Sequence, residues 1–425
     1  MKYLYLLIAF SLLLSCNSEE NKKITNTADY NQFLVSEKPK TTSKYFDLWN
    51  SKIKPDSIQL TSFGVVAGQY ESYFKATGDI AYLKKAETTL EKAVEIAATG
   101  KAGYRRALAR NYISQHRFKE ALALAQNARE IGGGRTETQS LLFDVHMELG
   151  NYSLAKKYLD SITDLSNFGY FIRAAKWNDH NGDLATTINY MEQAKMKAEK
   201  NKNKTLMLWS YTNLADYYGH AGRIKDSYEH FLKSLALDSQ NAYAKKGIAW
   251  IVFSYEKNPK EALRILDAIT KNYDTPDYYL LKAEIAEFTG DKAAQLANFD
   301  EYLLRVKNPK YGDMYNAYNI KLYLNQIHQS KKALELAKRE VENRPTPASY
   351  NFLAYSYLKL GNKEKALTIV KDHIEGKTFE PAILYCSAEI YKANGDLSKM
   401  NTIKKELLGA VYELGPNMKS KIDSL

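Results

Sequence analysis

The feature that most constrains this 425-residue chain is that it repeats itself. The run Tyr211-Thr212-Asn213-Leu214-Ala215-Asp216-Tyr217-Tyr218 is followed by Gly222 and then Phe231. The run Tyr350-Asn351-Phe352-Leu353-Ala354-Tyr355-Ser356-Tyr357 is followed by Gly361 and Ala366. In each, a Leu-Ala pair leads after three residues to Tyr, after four more to Gly, and after five more to a small residue. Gly361 and Gly395 are 34 residues apart, Gly222 and Gly290 are 68, and Gly150 and Gly182 are 32. Two units carry His116 and His328 in place of the glycine, with Ala121 and Ala333 five residues on. A sixth turns at Asn258-Pro259 with Ala262 behind it, and the first runs from Phe74 and Gly78 to Ala86, Leu90 and Ala93, which predicts a short insertion after its turn. About ten units fit between residues 62 and 413. A period of this length marks a supersecondary unit that buries its apolar face only on its neighbours.

The units read as pairs of helices. Of nine prolines none lies between residues 56 and 258, and Pro259, Pro276, Pro309, Pro345, Pro347, Pro381 and Pro416 fall outside apolar-periodic stretches or at their starts. Proline breaks helix interiors and central strands but suits turns and first helical turns. The stretches between are rich in Ala, Leu, Lys and Glu, which favour helix, and two-residue hairpin signals are absent. A glycine at the turn allows a left-handed backbone. A small residue after it lets the second helix approach the first, while Tyr, Leu and Phe at i, i+3 and i+4 fill the space between units. The 33 tyrosines then find a packing role, with Tyr112, Tyr218, Tyr357 and Tyr391 at one equivalent position.

This spacing resembles the tetratricopeptide repeat (TPR), a 34-residue helix-turn-helix unit. The resemblance covers residues 62–413 and implies an all-α fold, an α-α superhelix or TPR solenoid of about ten helix-turn-helix repeats. It also implies a concave groove lined by the first helix of each unit. Carried over by position, the groove residues are Arg106, Arg110, Asp144, Lys176, Trp209, Thr212, Asp216 and Glu284, then Tyr318, Asn325, Asn351, Tyr355 and Tyr385. Tyrosines and amides on such a surface suit peptide or glycan contact, because tyrosine offers apolar area with a polar tip. The Lys/Asn clamp by which chaperone-binding members hold a peptide carboxylate is not matched at these positions.

The N-terminus reads as an address. Lys2 precedes an almost purely apolar run over residues 3–14, too short to span a bilayer and suited to a signal-peptide core. It ends in Leu13-Leu14-Ser15-Cys16, which resembles the lipobox of bacterial lipoproteins and implies Cys16 as the lipidated residue. Several acyl chains on one residue give firm anchoring. Glu19-Glu20 resembles a surface-export signal of Bacteroidetes lipoproteins. The expected order is a signal peptide over 1–15, a polar tether over 16–45, an N-terminal cap over 46–61 around Tyr45-Phe46-Asp47-Leu48-Trp49, the array over 62–413, and a C-terminal tail over 414–425.

Catalytic and metal chemistry find little support. The seven histidines make no His-x-x-x-His or His-Glu-x-x-His pair, and Cys16 and Cys386 make no metal motif. Gly132-Gly133-Gly134 lacks the Lys-Ser/Thr of a phosphate loop. Charge is uneven: residues 84–135 hold eleven basic and five acidic side chains, and residues 274–301 hold seven acidic and two basic. No aromatic residues interleave with the basic run at Lys195, Lys197, Lys200, Lys202 and Lys204, which disfavours nucleic acid. The expectation is a lipid-anchored, non-catalytic scaffold in a bacterial cell envelope, at the outer membrane. It takes no cofactor or metal, and its groove binds a peptide segment or helix of an envelope protein. The competing reading is a glycan-binding lipoprotein of a polysaccharide-utilisation system, which resembles this chain in its repeats but carries long inserts that this chain lacks.

Overall fold

The computed structural model describes residues 23–35, 37–54, 56 and 60–425, and the apolar N-terminal run and Cys16 lie outside the described residues. Twenty helices form ten consecutive antiparallel pairs among them. The first five pairs are α1 (Leu60–Thr77) with α2 (Ile80–Ile96), α3 (Lys101–Ser114) with α4 (Phe118–Ile131), α5 (Arg135–Glu148) with α6 (Tyr152–Ser161), α7 (Phe168–His180) with α8 (Leu184–Lys200), and α9 (Lys204–His220) with α10 (Ile224–Leu237). The sixth to eighth are α11 (Ala242–Trp250) with α12 (Pro259–Thr270), α13 (Asp277–Thr289) with α14 (Lys292–Val306), and α15 (Asn316–Asn325) with α16 (Ser330–Asn343). The last two are α17 (Pro347–Lys359) with α18 (Lys363–His373) and α19 (Pro381–Ala393) with α20 (Leu397–Gly409). The chain is an all-α solenoid of ten helix-turn-helix units.

Local chemistry sets the boundaries. Pro259, Pro347 and Pro381 sit in first helical turns, where a missing N–H costs nothing. Asp79, Asp183, Asn203, Asn258, Asp291, Asn362 and Asp396 cap helix starts by accepting from a backbone N–H one turn in. The turn inside every unit contains one left-handed residue. It is glycine in seven units (Gly78, Gly150, Gly182, Gly222, Gly290, Gly361 and Gly395) and His116, Lys257 or His328 in the other three. Five residues beyond it stand Leu83, Ala121, Ala155, Thr187, Ser227, Ala262, Gln295, Ala333, Ala366 and Met400, none more than 5% exposed. Helix α2 starts two residues after Gly78, as α6 does after Gly150, so the expected insertion after the first turn is absent. The buried contact position of that unit is Leu83; Ala86 lies one helical turn further on.

The tyrosines at the shared position follow one pattern. Arg117 lies 3.8 Å from the Tyr112 ring centre, Arg223 4.0 Å from Tyr218, Lys365 4.2 Å from Tyr357 and Lys399 5.1 Å from Tyr391. The hydroxyls of Tyr112 and Tyr218 donate to Glu91 and Glu192 on the second helix of the preceding unit at 3.0 and 2.6 Å.

The superhelix closes on itself. Turns inside the early units meet loops that follow units five or six further along the chain. The Asp274 N–H donates to the Thr77 carbonyl at 2.7 Å, and the Asn343 amide donates to the His116 carbonyl at 3.0 Å. Glu148 takes Lys176 at 2.8 Å and, across the junction, Arg344 at 3.1 Å. The contacts are close enough to specify glycine. A Cβ on Gly150 would lie 2.8 Å from the Pro345 carbonyl oxygen, and one on Gly182 would lie 2.7 Å from the Phe379 ring. The second superhelical turn therefore rests on the rim of the first.

Both ends of the described residues are packed. The part of the expected tether over residues 24–34 is docked, which corrects its reading as a free spacer. Ile24 and Thr25 N–H groups donate to Glu256 at 2.8 and 2.6 Å, and the Tyr30 hydroxyl donates to Glu261 at 2.7 Å. Tyr30 is 1% exposed, against the apolar cluster of α10 to α12. The helix Lys44–Asn50 lays Phe46 on Tyr70 and Tyr73 of α1. At the other end, α11 continues as a π-helical turn, Ile251–Tyr255, a geometry that re-aims side chains within a helix. From it, Trp250 Nε1 and Ser254 Oγ donate to the Tyr412 carbonyl at 3.2 and 2.6 Å. The Asn417 amide donates to the Glu284 carbonyl at 2.8 Å, and Ile422 is fully buried. The stretch expected as a tail is a strap.

Candidate binding groove

The first helices of successive units face one another along the concave side, and side chains cross from each to the next. Arg173 donates to Asp144 at 2.5 Å and to the Ser140 carbonyl at 3.1 Å. The Tyr243 hydroxyl donates to Asp216 at 2.6 Å, and Lys246 pairs with Asp277 at 3.1 Å. The ladder braces the curvature and leaves particular groups open between its rungs.

The residues read from the sequence divide into three sets. Arg106, Asp144, Lys176 and Asp216 lie on this side but are engaged: Arg106 donates to the Gly133 carbonyl at 3.0 Å and to Thr138 at 3.1 Å. Arg110, Trp209, Tyr318 and Asn325 are exposed there, and Tyr385 is half-buried. Trp209 is 39% and Tyr318 40% exposed, high for aromatic side chains inside a curved array. Thr212, Asn351 and Tyr355 are buried at 8%, 5% and 6% exposure, which corrects their placement on the open groove. Tyr355 packs against Ile320, Tyr323 and Ala333, and its hydroxyl donates to Glu389.

The structure adds Tyr243, which is 51% exposed. It stands near Asp216, Tyr217 and Tyr318, whose charges and dipoles join burial in pushing its hydroxyl far above the usual range. Burial holds Asp216 up at about 6. The groove positions read from the sequence pass from Asp216 to Glu284 and skip the sixth unit, whose turn lacks a glycine. The alternation of exposed Tyr243 and half-buried Lys246 one turn apart on α11 is the signal that marks it.

Where the groove meets the seam, carboxyl groups gather. Asp179 is pushed up to about 6 by burial and by Glu380, and Glu413 to about 7 by the same two causes. Glu284 rises to about 7 through burial and Glu287. His220 Nδ1 is 4.0 Å from Glu413. Among the described residues no group of three or more His, Cys, Asp or Glu side chains is arranged to hold a metal ion, and no helix is long and apolar enough to cross a membrane.

Comparison with known proteins gives one family match within the array. A tetratricopeptide repeat family model matches residues 347–372, which hold α17 and nearly all of α18. No curated protein matches the sequence. A solved tetratricopeptide repeat protein from Parabacteroides merdae is similar at 13% identity, covering 61% of this chain and 97% of that one with a TM-score of 0.34. The human IFIT1 dimer with m7Gppp-AAAA is similar at 18% identity, covering 77% and 72% with a TM-score of 0.37. Yeast Tom70 is similar at 12% identity, covering 86% and 93% with a TM-score of 0.36. The family match thus places one tetratricopeptide repeat in the ninth of the ten helix pairs.

Proposed function

We propose that this chain is a non-catalytic protein-interaction scaffold whose concave interior holds an extended segment of a partner protein. We further propose that lipid on Cys16 anchors it in a bacterial cell envelope, at the outer membrane. The observation that carries the first reading is the set of exposed aromatic side chains on the concave side, Trp209, Tyr243 and Tyr318. Interfaces concentrate their binding energy in such rings, which bury much area while losing few rotamers. The seam favours an extended segment over a bulky domain, because the stacked superhelical turns narrow lateral access. The anchor rests on the lipobox-like Leu13-Leu14-Ser15-Cys16.

The test is cross-linking and pull-down from the native envelope, comparing the wild type with a Trp209→Ala, Tyr243→Ala, Tyr318→Ala triple variant. A partner protein should be enriched by the wild type and fall at least tenfold with the variant, at an unchanged melting temperature. Equal capture by both would sink the groove assignment. Glycan-array binding lost in the triple variant would favour the polysaccharide reading instead. For the anchor, Cys16→Ser should move the protein out of the membrane fraction; unchanged fractionation refutes it.

A further inference from the structure

A second site lies at the beginning of the array, apart from the aromatic groove. Between α1 and α3 runs a cleft of about 380 Å³ lined by Gly64, Ala67, Gly68 and Glu71 on one side and Gly100, Gly103, Tyr104 and Ala107 on the other, with Leu90 beneath. Its volume is within the range of small-ligand sites. The cleft exists because side chains are missing: a Cβ on Gly68 or Gly100 would meet no atom within 4 Å. A corresponding junction further along is filled, where Trp209 of α9 meets Phe168 of α7 at 6.0 Å. The Tyr104 hydroxyl donates to the Leu60 carbonyl at 3.1 Å and so fixes the ring as one wall.

The charge at the inner end of the cleft has a sign. Arg110 follows Ala107 by one turn of α3 and interacts with Glu71, Asp144, Arg106 and Arg173. Asp144 is taken by Arg173 at 2.5 Å. Arg106 is taken by a carbonyl and a hydroxyl. Burial pushes the Glu71 carboxyl up, while Lys75, Arg110 and Asn111 pull against that shift. The Arg110 guanidinium makes no hydrogen bond among the described residues, and the side chain is exposed. Three guanidinium groups thus face two carboxylates, of which Asp144 is already paired with Arg173. A planar guanidinium free of partners matches a carboxylate with two parallel hydrogen bonds.

We propose that this cleft binds a small amphiphilic carboxylate, with its alkyl chain on the glycine floor and its head group on Arg110. The apolar walls take the chain out of water, and the mixed charge around Arg110 rejects a cationic head. A volume this small holds one alkyl chain and no helix, which separates this ligand from a protein partner in the aromatic groove.

Isothermal titration of the full chain with decanoate, decanol and decyltrimethylammonium tests the assignment. Decanoate should bind one to one, and the cation at least tenfold more weakly. Arg110→Gln should weaken decanoate at least tenfold while leaving decanol unaffected. Gly68→Leu fills the cleft and should abolish binding of decanoate and decanol alike; Ala107→Leu gives the same reading should Gly68→Leu melt early. No decanoate binding at millimolar concentration, equal binding of the cation, or unchanged affinity in Arg110→Gln would each overturn the proposal. None of these outcomes depends on whether a protein partner is captured.

Discussion

A single left-handed residue closes the turn of each unit, and the cost of placing it depends on what lies beyond. Gly222 and Gly182 have nearly the same backbone, at φ 71° and 78°. A Cβ at Gly222 meets nothing within 4 Å, whereas one at Gly182 would enter the Phe379 ring. A side chain in this conformation costs about 1–2 kcal/mol by itself. Gly222→Ala should therefore destabilise by about that amount, and Gly182→Ala by about 1–3 kcal/mol more through overpacking. Chemical denaturation of the two variants checks the difference; equal losses would mean that the seam contributes nothing. The periodic glycines were legible in the sequence. The reason that some of them must be glycine was not, because their neighbours are some 195 residues away and belong to another turn of the coil. The contact position Leu83 was hidden for a related reason: leucine stands where five other units keep alanine, and the pattern slipped to Ala86.

At the scale of helices and segments, boundaries followed directly from proline and Asx residues, whose effects act within one helical turn. The ends of the chain did not. Residues 24–34 look like a polar spacer by composition, yet Tyr30 is buried and its hydroxyl bonded to Glu261. Composition averages over such a segment, while docking depends on a few anchors. Tyr30→Ala should cost about 3 kcal/mol or more locally and release the segment. Limited trypsin digestion should then cut after Lys40 faster than in the wild type, with the array left intact. An unchanged cleavage rate would show that Tyr30 is not the anchor. The candidate groove behaved similarly: of the family positions Arg110, Trp209 and Tyr318 are exposed while Asn351 and Tyr355 are buried, and the sixth unit's turn without glycine concealed Tyr243.

For the whole molecule the seam decides access to the groove, and its carboxyl groups make it sensitive to pH. Asp179, Glu413 and Glu284 titrate near 6 to 7 when the seam is closed, against about 4 when it is open. The closed form therefore binds more protons between those values. Closure is strongest below about pH 4, weakens as pH rises to about 7, and changes little above, by a few kcal/mol in all. Glu380 and Glu287 reinforce this trend, while Lys176, His220, Lys421 and Lys321 oppose it. Small-angle scattering should show a larger radius of gyration at pH 8 than at pH 5, and a Glu413→Gln, Asp179→Asn variant should stay compact at both. A radius independent of pH in the wild type would contradict this. The sequence by itself determined the helix pairs, their number, their turn geometry and the packing role of the repeated tyrosines, because each depends on residues within one or two units. Only the tertiary structure decided that the coil returns onto itself, that both ends are straps, and which concave side chains remain open. Those outcomes depend on small rotations between units added over half a superhelical turn or more, and no local pattern records their sum.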